Sequence, residues 1–256
     1  MRGPRLLHRE DPVIDQPAFE TTRFGRAPLL FTVEHASRSL PAPLELTERD
    51  RPWIETHWGW DLGAEPLTRA VCDHLGATAH FARFSRLLVD ANRPEEAPDL
   101  IRSRVGGHLL GFNEGVDDDE RERRLAGFYR PYHRAIDETL HDMGTPALFA
   151  VHTFTPVLHE EVREMEIGVL FDDHATLAYE LFELLADAGF LVALNAPYSG
   201  KDGLMYSPWR HGRAHGVPYL ELEIRQDLVS TPARVTALGE RLGRLLRRFD
   251  PIASRL

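Results

Sequence analysis

Four short apolar runs in this chain each stop at side chains able to hold a metal or a substrate, and that pattern constrains the fold more than any other feature. The runs are Pro28 to Val33 before Glu34 and His35, Leu87 to Val89 before Asp90, Asn92 and Arg93, Leu148 to Val151 before His152, and Tyr219 to Ile224, which carries Glu221 and Glu223 and ends at Arg225. Apolar runs this short read as buried strands. In open α/β sheets the ligand site lies beyond the carboxyl ends of the strands, so these polar ends suggest one shared site.

Helical periodicity fills the intervals. Asp61 to Leu75 carries Leu62, Leu67, Ala70, Val71 and Leu75 at helical spacing, and Gly76 is a suitable stop. Further helices are expected over Asp119 to Met143, His174 to Ala188 and Thr231 to Phe249, the last with Thr231 as cap and Pro232 at its first position. Further strands are expected over Ala77 to Phe84, Leu87 to Asp90, Glu166 to Phe171 and Phe190 to Asn195. Thr47 to Thr56 reads as at best a short surface helix interrupted by Pro52, Pro94 to Asp118 as a long loop, and Gly203 to Gly216 as irregular or an imperfect helix. This alternation implies an α/β fold: a single domain over 28–256 with a mixed, mostly parallel sheet flanked by helices. Residues 1–27 lack sustained periodicity and read as an N-terminal arm.

Composition narrows the function. At 256 residues, 43% hydrophobic and 27% charged, the chain suits one packed domain. Forty acidic residues against thirty basic ones give a formal charge of -10, a field that repels nucleic acid and anionic membranes. An anionic small-molecule substrate must then be caught by a local group of arginines. The single cysteine, Cys72, excludes an intrachain disulfide and a thiolate metal cluster and fits a reducing cytoplasm. No apolar stretch reaches the roughly 18 residues of a membrane span, and Met1 to Glu10 lacks a signal-peptide core, so a cytoplasmic location is expected. Composition sets no oligomeric state.

His35 and His152 end apolar strands, and imidazole nitrogen with carboxylate oxygen is the donor set of open zinc sites. A third ligand is needed, and Glu34 and Asp61 are the candidates. Glu221 and Glu223 share one face of their strand, where one of them is suited to act as a general base; the alternative is a half-exposed face with solvated carboxylates. Arg86, Asn92, Arg93 and Arg225, with Arg210 and Arg213, supply groups that could hold a substrate carboxylate. Neither Ser37 nor Ser199 lies in a G-x-S-x-G elbow, so a serine hydrolase is unsupported.

The blocks Val33 to Ser37, Gly59 to Ala64, Ser85 to Pro94, Val151 to Val157 and Glu221 to Asp227 resemble, in order, the N-formylglutamate amidohydrolase family. The resemblance runs from about residue 28 to residue 229. It implies the fold of the zinc carboxypeptidases and of the aspartoacylase-like enzymes, the phosphorylase/hydrolase fold, and one zinc ion per chain. By it, His35 and His152 would be zinc ligands, and Glu223 the general base and acid. Asn92 and Arg93 would hold the substrate carboxylate, with Arg86 beside them. The carboxypeptidase pattern has a glutamate three residues after its first histidine, where this chain has Arg38, so Asp61 is preferred over Glu34 as third ligand. The expectation is zinc-dependent hydrolysis of a small acidic N-acyl amino acid similar to N-formylglutamate. Two alternatives stand beside it: a non-catalytic metabolite-binding protein of the same fold, and an amidase acting on a peptide or cell-wall substrate.

Overall fold

The computed structural model describes residues 16–249 apart from 24 and 145. In chain order it forms β1 (Phe19–Arg23), β2 (Leu29–Val33), α1 (Arg51–Ile54), α2 (Ala64–Leu75), β3 (Thr78–Ala82), and a hairpin of β4 (Arg104–Val105) and β5 (His108–Leu109). Next come α3 (Asp118–Arg124), α4 (Arg130–Met143), β6 (Ala147–Phe154), and a second hairpin of β7 (Val157–Leu158) and β8 (Glu161–Val162). The chain continues through β9 (Ile167–Leu170), α5 (Ala175–Asp187), β10 (Val192–Leu194), α6 (Tyr206–His215), β11 (Tyr219–Arg225) and α7 (Pro232–Leu246).

One seven-stranded sheet runs β1-β3-β2-β6-β11-β9-β10. The neighbours β3, β2, β6 and β11 are parallel to one another and β10 is parallel to β9, whereas β1 on β3 and β9 on β11 are antiparallel. The sheet is thus mixed and mostly parallel, with helices on both faces. Phe31, Phe149, Leu220 and Leu222 pack on one face with Leu67, Val71, Leu181, Leu238 and Leu242 from α2, α5 and α7. Leu30, Leu148 and Tyr219 face the other way, against Tyr132, Ile136 and Leu140 of α4. Strands covered on both faces must be apolar throughout, and every residue of β2, β3 and β6 is buried.

Several expectations change. Leu87 to Asp90 is a turn, not a strand: the Leu87 N–H reaches Ser85 Oγ at 3.2 Å and the Leu88 N–H reaches the Ser85 carbonyl at 2.9 Å, which folds the run back on itself. The long helix expected over Asp119 to Met143 contains a π-helical turn, Leu125–Tyr129, which precedes α4 and places Pro131 two residues beyond it. The loop over 94–118 contains the β4–β5 hairpin, and the irregular stretch over 203–216 contains α6. The arm reading covers residues 1–15, which lie outside the described residues, and also residues 19–23, which form the edge strand β1. An ion-pair network, Arg69 to Glu20 at 2.7 Å and Arg83 to Glu65 at 2.7 Å, fastens this strand to α2. Thr231 caps α7 as read, its Oγ accepting the Arg234 N–H at 3.3 Å.

Candidate active site

Strand alternation delivers the site to one face of the sheet. On β6, Leu148, Ala150 and His152 point toward α4 and α6, as do Tyr219, Glu221 and Glu223 on β11 and Leu30 and Thr32 on β2. His152 and Glu223 are register partners on adjacent parallel strands. Glu34 continues the alternation one step past β2, and His35 lies where the chain turns out of the strand. Asp61 is brought in by its own backbone, its N–H donating to the His35 carbonyl at 2.9 Å.

These placements gather His35, Asp61 and His152 into a buried trio whose ligand atoms lie within 4.8 Å of one another. Asp61 Oδ2 stands 2.8 Å from His152 Nδ1 and 3.5 Å from His35 Nδ1. Two ligands bound tetrahedrally to one zinc ion stand roughly 3.4 Å apart, so a modest spreading of the trio would admit the ion. His35 Nδ1 is buried with no hydrogen-bond partner, a polar atom left without the group it is built to meet. The trio fits a metal ion. Of the two candidates for third ligand, Asp61 belongs to the trio, whereas Glu34 approaches the opposite ring nitrogen of His152, Nε2, at 3.2 Å.

Both histidines are backed by carboxylates on their outer nitrogens. Asp90 Oδ1 lies 2.7 Å from His35 Nε2, and Glu34, which also accepts from Ser207 Oγ at 2.7 Å, lies behind His152. Such carboxylate–histidine pairs fix ring orientation and raise ligand basicity. Burial alone would raise the Glu34 pKa, but His152, Ser207 and Thr32 outweigh it and hold the carboxyl at about 2. Burial likewise opposes the His152 imidazolium, yet Glu221, Asp61 and Glu34 prevail and raise its pKa well above the usual value. The cluster's negative field therefore draws positive charge to this spot.

Glu221 and Glu223 are both buried, which removes the half-exposed alternative. Burial raises both carboxyls above the ordinary range, His152 partly opposes the rise, and Glu221 adds to it at Glu223. Glu223 Oε2 has no hydrogen-bond partner and the residue lines the cavity beside the trio. Glu221 is engaged by Asn92 Nδ2 at 3.4 Å.

The cavity has a volume of about 280 Å³ and is lined by Arg86, Arg93 and Arg102 together with the two glutamates. Arg86 is held by Asp90 at 3.0 Å. Asn92 also lines the cavity, although its Oδ1 is occupied by the Ser207 N–H at 2.8 Å. Arg225 is placed elsewhere: its guanidinium pairs with Asp227 at 2.7 Å and donates to the carbonyls of Arg163, Glu164 and Met165, and it does not line this cavity.

Asp90 and Arg102 are site residues that reading the sequence left without a role. Asp90 carried a usable signal, a carboxylate two positions before Asn92 at the end of an apolar run. Arg102 carried none, lying in a segment without periodicity.

The N-formylglutamate amidohydrolase family model matches residues 27–230, which include every residue of this site. The chain belongs to the N-formylglutamate amidohydrolase family. Within it, N-formylglutamate deformylase of Pseudomonas aeruginosa is 31% identical over 128 residues, 45% of this chain and 46% of that protein. The Pseudomonas putida N-formylglutamate deformylase is 29% identical over 145 residues, 50% of this chain and 52% of that one. The chain spans about half the length of these curated relatives. The crystal structure of gene product Atu2144 from Agrobacterium tumefaciens matches with a TM-score of 0.84 at 29% identity, covering 93% of this chain and 96% of that one. N-formylglutamate amidohydrolase from Ralstonia eutropha JMP134, at 21% identity, shares the fold with a TM-score of 0.67 over 91% of this chain and 99% of that one.

Proposed function

We propose that this chain is a zinc-dependent amidohydrolase that cleaves the amide bond of a small acidic N-acyl amino acid similar to N-formylglutamate. The observation that carries the reading is the partnerless buried Nδ1 of His35 beside Asp61 and His152, in the same cavity as an unpaired Glu223 carboxylate and three arginines. His35, His152 and Asp61 would hold the ion, which when bound supplies a Lewis acid and lowers the pKa of water.

The residues account for the remaining steps. Glu223 takes the proton of the attacking water as oxygen bonds to the acyl carbon, and returns it to the amine nitrogen as the carbon–nitrogen bond breaks. Burial raises the proton affinity of Glu223, which suits a group that must both accept and donate. Arg86, fixed by Asp90, offers its remaining N–H groups to the oxyanion of the tetrahedral intermediate. Arg93, with Asn92 beside it, takes the α-carboxylate of the substrate. The cavity volume of about 280 Å³ supports a small acyl amino acid over a peptide or cell-wall strand. The net charge of -10 supports a small-molecule partner over nucleic acid, and the lone Cys72 supports a cytoplasmic setting. Among the described residues no helix is long and apolar enough to cross a membrane.

The test is elemental analysis followed by a screen of N-acyl amino acids with the zinc-loaded protein. About one equivalent of zinc and release of formate from N-formylglutamate are expected. Zinc-free protein that binds acyl amino acids without cleaving them would instead establish a binding protein.

A further inference from the structure

We infer that Arg102 is a specificity-determining residue, gripping the side-chain carboxylate of an acidic N-acyl amino acid while Arg93 takes its α-carboxylate; this rests on the amidohydrolase reading above. Both arginines line the same cavity although they approach it from different segments. Asp99 joins them: its Oδ2 lies 3.2 Å from Arg93 Nε and 3.0 Å from Arg102 Nη2. One carboxylate thus holds two guanidiniums side by side.

Three guanidiniums share this wall. Arg86 pairs with Asp90 at 3.0 Å and lies 3.8 Å from Asp61, Arg93 and Arg102 meet at Asp99, and Asp90 is also engaged by His35 and Arg93. Asp99 occupies one N–H of Arg102, and its approach to Arg93 Nε lacks hydrogen-bond alignment. The remaining guanidinium donors of both residues make no hydrogen bond among the described residues. A guanidinium meets a carboxylate through two parallel N–H bonds, so each of these arginines retains a fork for one substrate carboxylate. An N-acyl glutamate or aspartate presents two carboxylates close together, and two linked forks match that spacing better than a single carboxylate.

The pair is also held rigidly. The Arg102 carbonyl accepts Asn113 Nδ2 at 2.7 Å, and the same amide nitrogen reaches the Leu87 carbonyl at 2.7 Å. Asn113 Oδ1 accepts from the fully buried Arg124, which also donates to the Leu88 carbonyl at 3.0 Å and the Phe112 carbonyl at 2.8 Å. The backbone bearing Arg102 is therefore bonded into the one that runs from Arg86 to Arg93. Preorganisation of this kind lowers the ordering cost of binding.

The experiment measures kcat/KM for N-formylglutamate, N-formylglutamine and N-formylnorvaline with zinc-loaded wild type, Arg102→Gln and Arg102→Lys. Arg102→Gln should lower kcat/KM for N-formylglutamate on the order of ten- to a hundredfold, chiefly through KM, so that the preference for glutamate over its two neutral analogues collapses. Arg102→Lys should fall between. Calorimetry with glutarate and butyrate reads the same wall without turnover, and Arg102→Gln should weaken glutarate selectively. Equal losses on all three substrates, or a wild type with no preference for glutamate over norvaline, would overturn the assignment while leaving the amidohydrolase reading intact. If wild type cleaves none of the three, that reading fails, and the glutarate titration alone decides Arg102: selective weakening supports it and unchanged affinity overturns it.

Discussion

Nε2 of His35 and Oδ1 of Asp90 lie 2.7 Å apart in the interior of the protein, which leaves the opposite ring nitrogen aimed at Asp61 and His152. Asp90 therefore sets which nitrogen of His35 is free to bind a metal. Replacing Asp90 by asparagine keeps the shape but removes the charge, and zinc affinity should fall about 10- to 100-fold. Competition with a chelator checks this. Unaltered affinity in Asp90→Asn would show that the pair merely fills space.

The roles proposed for Glu223 and for the trio are separable. Glu223→Gln should retain zinc and lose orders of magnitude in kcat, because an amide cannot take the proton of the attacking water. Metal content and turnover measured on the same preparation separate the roles. A zinc-free Glu223→Gln protein would make Glu223 a ligand.

Arg124 is a structural cation, paired with Glu120 at 2.7 Å with both side chains fully buried. Arg124→Met would leave Glu120 paired with Arg123 alone and strand the carbonyls of Leu88 and Phe112 and Asn113 Oδ1, and should cost about 3–5 kcal/mol in urea unfolding. A loss below about 1 kcal/mol would mean that water readily replaces the guanidinium.

His80 makes stability depend on pH. Burial, aided by the charges of Arg23 and His211, lowers its pKa from 6.5 to about 4, while Thr21 and Thr139 hydroxyls meet its two ring nitrogens at 2.8 and 2.9 Å. The unfolded chain then binds a proton here that the folded one refuses. This contribution is complete above about pH 6.5 and is lost as pH falls toward 4, reaching about 2 kcal/mol by pH 5. Buried His133 and His211 have lowered pKa values and act in the same sense. Urea midpoints at pH 7 and pH 5 should differ less in His80→Gln than in wild type, and equal differences would remove His80 from the account.

The central strands β2 and β6 were legible because they are largely apolar runs buried on two faces, and β11 because its apolar residues alternate with Glu221 and Glu223. The same logic misled at Leu87 to Val89, where a serine turn buries an apolar run without strand pairing. Strand β1 was invisible for the opposite reason: Phe19-Glu20-Thr21-Thr22-Arg23 is an edge strand with one apolar residue. At the site, His35, His152, Asp61 and Glu223 could be named from strand ends and resemblance. Arg102 could not, since its place in the wall depends on Asn113 and Arg124, hydrogen bonds between distant segments that no local pattern encodes.

The sheet order has a consequence for how the chain acquires its site. β11, the last strand in sequence, occupies an interior slot between β6 and β9, so the two halves of the sheet remain unjoined until it inserts. A nascent chain emerging without it would contain His35, Asp61 and His152 but lack both the seam that braces His152 and the glutamate that partners it in register. Such parallel, long-range pairing is intrinsically slow. Completion of the site is thereby deferred to the end of folding, and incomplete or truncated products carry His35, Asp61 and His152 without Glu223.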